Sequence, residues 1–245
     1  PTHVKLLEYE LEQRGNGLLV TFPHLGGVPH ATSTRQGGVS TGIYDSLNLG
    51  LMSGDDLGVV EKNRQIFSRM LGIPIVQNLS MTHGIDVAHV RTPADMDQPH
   101  PADACITNHS EVSLSLTTAD CVPIFFHDPK ASAIGLAHAG WRGTVNGIAA
   151  EVVKAMSQKL GSKPQDLRVA LGPAISQCCF EVGAEVRAAF CAANPVAAGC
   201  FVPHGAAGKY LCDLACLARL RLKALGIAQI YGNDSTATWL PVPTA

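Results

Sequence analysis

Across 245 residues, 46% hydrophobic and 16% charged, the composition is globular, at a length where one large domain or two small ones both fit. Lysine and arginine number 18 against 20 for aspartate and glutamate, so there is no broad positive field of the kind duplex nucleic acid or an anionic membrane selects, and small molecules are the expected partners. No apolar run approaches the roughly 18 residues of a membrane span, and the opening PTHVKLLEYE lacks the basic, apolar, small-residue order of a secretory signal, which makes the cytoplasm the expected location.

In chain order, GLLVTF (17–22) reads as a strand, and HATSTRQGGVSTGIYDSLNLG (30–50) begins as a strand before becoming a long polar loop with four glycines. Leu57, Val60, Arg64, Phe67 and Leu71 recur at helical spacing, with Asp55 or Asp56 available as a cap, which predicts a helix over 56–71. Short β-rich runs follow at 86–91, 103–108 and 112–118, then CVPIFFHDP (121–129), ended by a His-Asp-Pro turn, and Ala133 to Ala137. A helix is predicted over 145–160, stopped by Gly161. Residues 167–175 read as a buried strand, 182–192 and 211–225 as helices, and 227–232 as a last strand. No repeat, low-complexity segment or linker divides the chain, so a single domain over 1–245 of α+β or mixed α/β architecture is expected. The eight cysteines, Cys105, Cys121, Cys178, Cys179, Cys191, Cys200, Cys212 and Cys216, show no scaffold density and no C-x-x-C pair, so most are expected to be reduced, buried thiols.

Three stretches carry polar residues that their strands do not need: SMTHGIDV with His83, SLTTADCVPIFF with Asp120 and Cys121, and GLAHAGWRG with His138. A histidine, a cysteine and a second histidine are donors zinc accepts, and three protein ligands leave one position for water or substrate. The same atoms allow another chemistry, with Cys121 as thiolate nucleophile and His138 as its base, in a hydrolase or deamidase acting on cell-wall precursors or amides. Each residue also has a plain structural reading as core or turn, and a metal protein without catalysis is a third class. Arg35, beside Gly37 and Gly38, and Asn48 in a Leu-Asn-Leu step suit an anion or a sugar hydroxyl. Arg142, at the turn into the helix near Val145, is a second anion candidate.

The motifs STRQGGVSTGIYDSLNLG, THGIDV, ADACIT, TTADCVPIFFHD, GLAHAGWRGTVNGI and LGPAISQCCFEVG, in this order between about residues 30 and 183, resemble those of the YfiH-like proteins, also called laccase-domain or polyphenol oxidase proteins. The C-terminus departs: YGNDSTATWLPVPTA stands where the family closes with a Cys-Thr step and a Phe-Phe-Ser-Tyr-Arg-Arg element. The resemblance implies mixed sheets packed between helices in an α/β/β/α layering, distantly similar to deamidase toxins of the cytotoxic necrotizing factor type. It implies His83, Cys121 and His138 as zinc ligands. It further implies a purine nucleoside phosphorylase that also deaminates adenosine and accepts methylthioadenosine, with purine nucleoside and phosphate as partners. On that reading Arg35 meets phosphate or sugar, Asn48 sugar or base, and Asp120 either protonates the leaving base or orients a ligand. The copper of the family's older label fits less well, because none of the ten histidines lies two residues from another, although a thiolate site would take copper if offered it.

Overall fold

The protein is described here by a computed structural model that covers residues 8–74 and 79–232. The chain opens with β1 (Glu10–Arg14), β2 (Gly17–Thr21) and β3 (Thr32–Ser33), an antiparallel three-stranded sheet, and then helix α1 (Leu57–Leu71). Asp56 is the cap, accepting the Val59 amide, and the helix stops at Gly72.

A six-stranded sheet follows. Its members are β4 (Val87–His89), β5 (Ala104–Thr107), β6 (Val122–Asp128), β7 (Ala133–Ala139) and β8 (Arg168–Leu171), joined at the far edge by the last strand of the chain, in the order last strand, β8, β6, β7, β5, β4. Helices α2 (Trp141–Asn146) and α3 (Ile148–Leu160) come between β7 and β8. A second small antiparallel sheet comprises β9 (Glu181–Gly183), β10 (Phe201–Pro203) and β11 (Lys209–Cys212), with α4 (Ala184–Ala193) after β9 and α5 (Leu214–Ala224) after β11; β12 (Gln229–Tyr231) closes the six-stranded sheet. Outer pairs β12·β8 and β4·β5 are parallel and the inner pairs antiparallel, so this sheet is mixed.

Period-two alternation decides what each face of β6 touches. Ile124 and Phe126 point to one side, where Ile148, Val152 and Met156 of α3 and Leu214 and Leu222 of α5 cover them. Phe125 points to the other, where Val20 of the first sheet and Phe22, just after β2, meet it. Phe67 of α1 packs with Leu19 and Leu47 on the outside of that first sheet. The layers are therefore α1, the three-stranded sheet, the six-stranded sheet, and α3 with α5, which is the expected α/β/β/α arrangement. Full burial of a side chain such as Phe126 contributes roughly 1.5–3 kcal/mol.

Several expected elements differ. Residues 112–118 form no strand: Val112, Leu114 and Leu116 alternate as a strand would, but they pack on the face of the six-stranded sheet without joining its ladder. The helix expected over 145–160 is two helices, and it starts earlier, at Trp141, directly after β7. Gly147 at φ +96 breaks it, a conformation that glycine adopts without a Cβ clash. The N-terminal ends of the helices expected at 182 and 211 are spent on β9 and β11, which pair with each other. Strands β1 and β10 carry no apolar alternation strong enough to be read in advance. The opening residues 1–7 and most of the atypical C-terminus, 233–245, lie outside the described residues.

The thiols also differ from expectation. Cys105 and Cys212 are buried and free, but Cys178 and Cys179 are exposed, and Cys200 is disulfide-bonded to Cys216. The helical turn Pro195–Cys200 packs against α5, which brings the two Cα atoms to 6.0 Å, within the range a disulfide spans. Among the described residues no helix is long and apolar enough to cross a membrane.

The expected His-Asp-Pro turn closes the β6–β7 hairpin, and Asp128 fastens it. Its carboxylate accepts the amides of Lys130 and Ala131 at 2.9 and 3.1 Å. Burial pushes the Asp128 carboxyl up, but the hydrogen bonds outweigh it and leave its pKa below the usual value. Asp128→Ala is expected to cost about 1–3 kcal/mol in urea unfolding at neutral pH, since the Lys130 and Ala131 amides lose the acceptor that closes the turn. Because the folded pKa is depressed, the stability is present above the unfolded value of about 3.9 and is lost as the pH falls below it. The gap between the Asp128→Ala variant and the natural protein should therefore narrow in acid.

Candidate metal centre

Strand register gathers the three candidate ligands. In the β6–β7 hairpin Pro123 lies opposite His138, which places Cys121, two residues before Pro123, beside the end of β7. On the other side of β7, Ala104 pairs with Ala137, and the His138 amide donates to the Asp103 carbonyl at 2.7 Å. The turn at 82–84 then closes over Asp103. One ligand atom each from His83, Cys121 and His138 lies within 4.8 Å of the others, and this is the single group of three or more such donors among the described residues. The two imidazoles meet edge to face, with ring centroids 4.9 Å apart.

Asp103 organises this centre, and sequence reasoning missed it. Fully buried, it accepts five hydrogen bonds: from the Thr82 amide and hydroxyl, the His83 amide, the Gly84 amide and His138 Nδ1, at 2.7 to 3.0 Å. Converging three consecutive amides on one carboxylate forces His83 into the left-handed region at φ +60, strain that the buried anion offsets. The bond to His138 fixes that ring with its proton on Nδ1, leaving Nε2 as the free donor atom. Burial raises the Asp103 carboxyl, but the hydrogen bonds from His138, Gly84 and Thr82 dominate and hold it at about 2. The signal in the sequence was present but weak: an aspartate in ADACIT, one residue before a strand, looks like an ordinary strand-end polar residue.

Burial, with the negative charges of Asp120 and Asp103, raises the Cys121 thiol above its usual value. A thiol of this kind loses its proton when a divalent ion binds. The donor set, two imidazoles and one sulfur, is of zinc type, and ligand bonds of about 2.0–2.3 Å can draw the three together. Space is reserved as well. A Cβ built on Gly140 would stand 3.1 Å from Cys121 Sγ and 3.4 Å from His83 Cδ2. Gly140→Ala is expected to spread these ligands and lower metal affinity about tenfold or more, measured by competition with a chromophoric chelator.

The centre opens into a cleft of about 1740 Å³ between the first sheet, the 47–53 segment and the 107–121 segment. Arg35, Asn48 and Asp120 line it together with the three ligands, and Arg142 does not. Arg142 is exposed and lies over the Trp141 ring, 4.4 Å from its centroid. Arg35 donates through Nε to the Asp45 carbonyl at 2.6 Å, which leaves its Nη atoms for the cleft. The Asn48 amide is occupied within its own loop, donating to Ser53 Oγ and Asp55 and accepting the Gly50 amide. Gly37 and Gly38 do not line the cleft; Gly38 is packed so closely on the Ser46–Leu47 backbone that no side chain fits. Asp120 is exposed in the wall, and its carbonyl accepts the Ile175 amide at 2.9 Å.

A family model described as multi-copper polyphenol oxidoreductase laccase matches residues 29–239. Purine nucleoside phosphorylase YfiH of Escherichia coli is 39% identical over 214 residues, 87% of this chain and 85% of its own length. A purine nucleoside phosphorylase of Pseudomonas aeruginosa is 40% identical over 201 residues, covering 82% and 79%. The crystal structure of YlmD from Geobacillus stearothermophilus matches with a TM-score of 0.80 at 32% identity, over 93% of this chain and 88% of that one. With the His-Cys-His centre in place and both sequence and fold matched over most of its length, the chain belongs to the laccase-like YfiH family.

Proposed function

We propose that this protein is a zinc-dependent purine nucleoside phosphorylase that acts on adenosine, inosine and methylthioadenosine and also deaminates adenosine. The observation that supports the reading most is the juxtaposition of the three donors with Arg35 in one cleft. Named relatives supply the activity, and the site supplies a chemical account of it. A divalent ion held by His83, Cys121 and His138 would bring Lewis acidity to the cleft; zinc suits the donors, and copper would bind them if supplied.

In phosphorolysis a phosphate oxygen bonds to ribose C1′ while the C1′–N9 bond breaks, and the purine leaves with the electron pair and takes up a proton. Positive charge grows on the ribose in between, so the chain must hold an anion near C1′ and keep water out. Arg35 presents its Nη donors to the phosphate, and the locked Asn48 loop shapes the sugar side of the cleft. Phe125 and Met81, which line the same space, offer an apolar surface to the purine. Asp120 stands in the wall as the group that delivers the proton to the departing base. Asp103 keeps His138 in one tautomer throughout.

The test is to incubate the purified protein with inosine or adenosine, with and without phosphate. Free base and ribose 1-phosphate should form only with phosphate, and inosine should form from adenosine without it. Base release that ignores phosphate would overturn the phosphorylase assignment.

A further inference from the structure

The buried face of α1 carries one residue that a core-facing stripe does not ordinarily hold. Arg64 lies among Val60, Asn63 and Phe67 on that face and is 7% exposed. A guanidinium offers five N–H donors and keeps its charge, so burying one without a counter-charge is costly. Arg64 donates one hydrogen bond, from Nη1 to the Leu49 carbonyl at 3.3 Å, and no carboxylate pairs with it among the described residues. Burial depresses its pKa, and the charge of Glu61, on the exposed flank of the helix, offsets this only in part.

The side chain is in the cleft wall, not sealed inside the core. It is also held rigidly. Next to it, the fully buried Asn63 donates to Ser40 Oγ and the Asn48 carbonyl and accepts the Val39 amide, which clasps α1 to the 39–48 loop. Arg35 bonds to the Asp45 carbonyl and Arg64 to the Leu49 carbonyl, so the two arginines are fastened to one short segment, 45–49.

We propose that Arg64 is a phosphate-binding residue, whose unspent donors hold inorganic phosphate against the 45–49 segment alongside Arg35. A dianion with several acceptor oxygens supplies both the missing counter-charge and the missing hydrogen bonds, whereas a sugar hydroxyl or a purine supplies no charge. The inference rests on the phosphorylase reading for its role in turnover, but not for binding.

The test uses metal-loaded full-length protein and Arg64→Met, close in volume and uncharged, with Arg64→Lys as a second variant. Inorganic phosphate should raise the melting temperature of the natural protein and leave that of Arg64→Met unmoved. Without phosphate, Arg64→Met should melt at or above the natural temperature, because a buried unpaired charge has gone. KM for phosphate should rise about tenfold or more, with KM for inosine changed by less than about twofold. Arg64→Lys, which keeps the charge and loses the planar fork, should fall between. A lower phosphate-free melting temperature in Arg64→Met with its phosphate shift intact, or an unchanged KM for phosphate, would overturn the proposal in favour of a structural arginine. If phosphate shifts the natural protein through Arg64 but no nucleoside is phosphorolysed, the binding site stands and the phosphorylase reading fails.

Discussion

Cys121→Ser should give a folded protein that retains less than about a tenth of an equivalent of divalent metal and phosphorolyses inosine at least about a thousandfold more slowly, a loss near 4 kcal/mol of transition-state stabilisation. A serine hydroxyl does not ionise near neutral pH, so the third corner of the centre is left without a charged donor. The natural side chain is only half-buried and has no strand hydrogen bond of its own to lose, so the melting temperature of metal-free protein should change little. Metal content by elemental analysis and product formation by chromatography check the two halves. An equally active, metal-free Cys121→Ser protein would remove the metal from the mechanism. Conversely, chelator-stripped natural protein that stays active, and whose Cys121 reacts rapidly with an alkylating reagent, would restore the nucleophile reading.

The second large effect is expected at Asp103. Asp103→Asn keeps the volume but replaces one acceptor oxygen with an NH2 group that faces N–H donors. Either the His83 amide and His138 Nδ1, or the Thr82 and Gly84 amides with the Thr82 hydroxyl, then lose their acceptor. Breaking a buried charged network in this way costs about 3–5 kcal/mol, to be read as a lower denaturant midpoint in metal-free protein. Metal affinity should fall about 10- to 100-fold as well, because His138 is no longer fixed in its tautomer and the 82–84 turn no longer holds His83 at positive φ. An unchanged midpoint would show that the carboxylate does not anchor the turn. Weakened stability with full metal affinity would separate the fold role of Asp103 from its role at the centre.

Arg35 and Arg64 line the cleft and Arg142 does not, which illustrates what spacing alone conveys. All three are arginines near a loop or a helix. Arg142, the second residue of a six-residue helix, is exposed and lies over Trp141, whereas Arg64 lies mid-helix where the apolar period would place a leucine. In the sequence Arg64 fits the core-facing spacing of 57, 60, 64, 67 and 71, and that spacing gives no sign that one edge of the stripe looks into a cleft.

Elements set by local pattern were legible from the residues: α1 with an aspartate cap at 55 or 56, the two strands either side of the His-Asp-Pro turn, and β8. The three candidate donors were nominated as a set from their motifs, because each stands at a strand end among residues a strand does not require, and the structure brings them together. Three things depended on partners distant in the chain. Residues 112–118 have strand-like alternation, but a strand needs a neighbouring edge to bond to. Asp103 becomes the centre of a five-donor network only when β5 pairs with β7 and the 82–84 turn folds over it. Arg64 becomes an anion site only because the 45–49 segment leaves it a single carbonyl. Periodicity and capping are properties of neighbours along the chain, so the sequence by itself determined the elements and nominated the ligands. Register, burial and unspent hydrogen bonds are properties of neighbours in space, and only the tertiary structure decided which polar side chains face the cleft and which are consumed in building it.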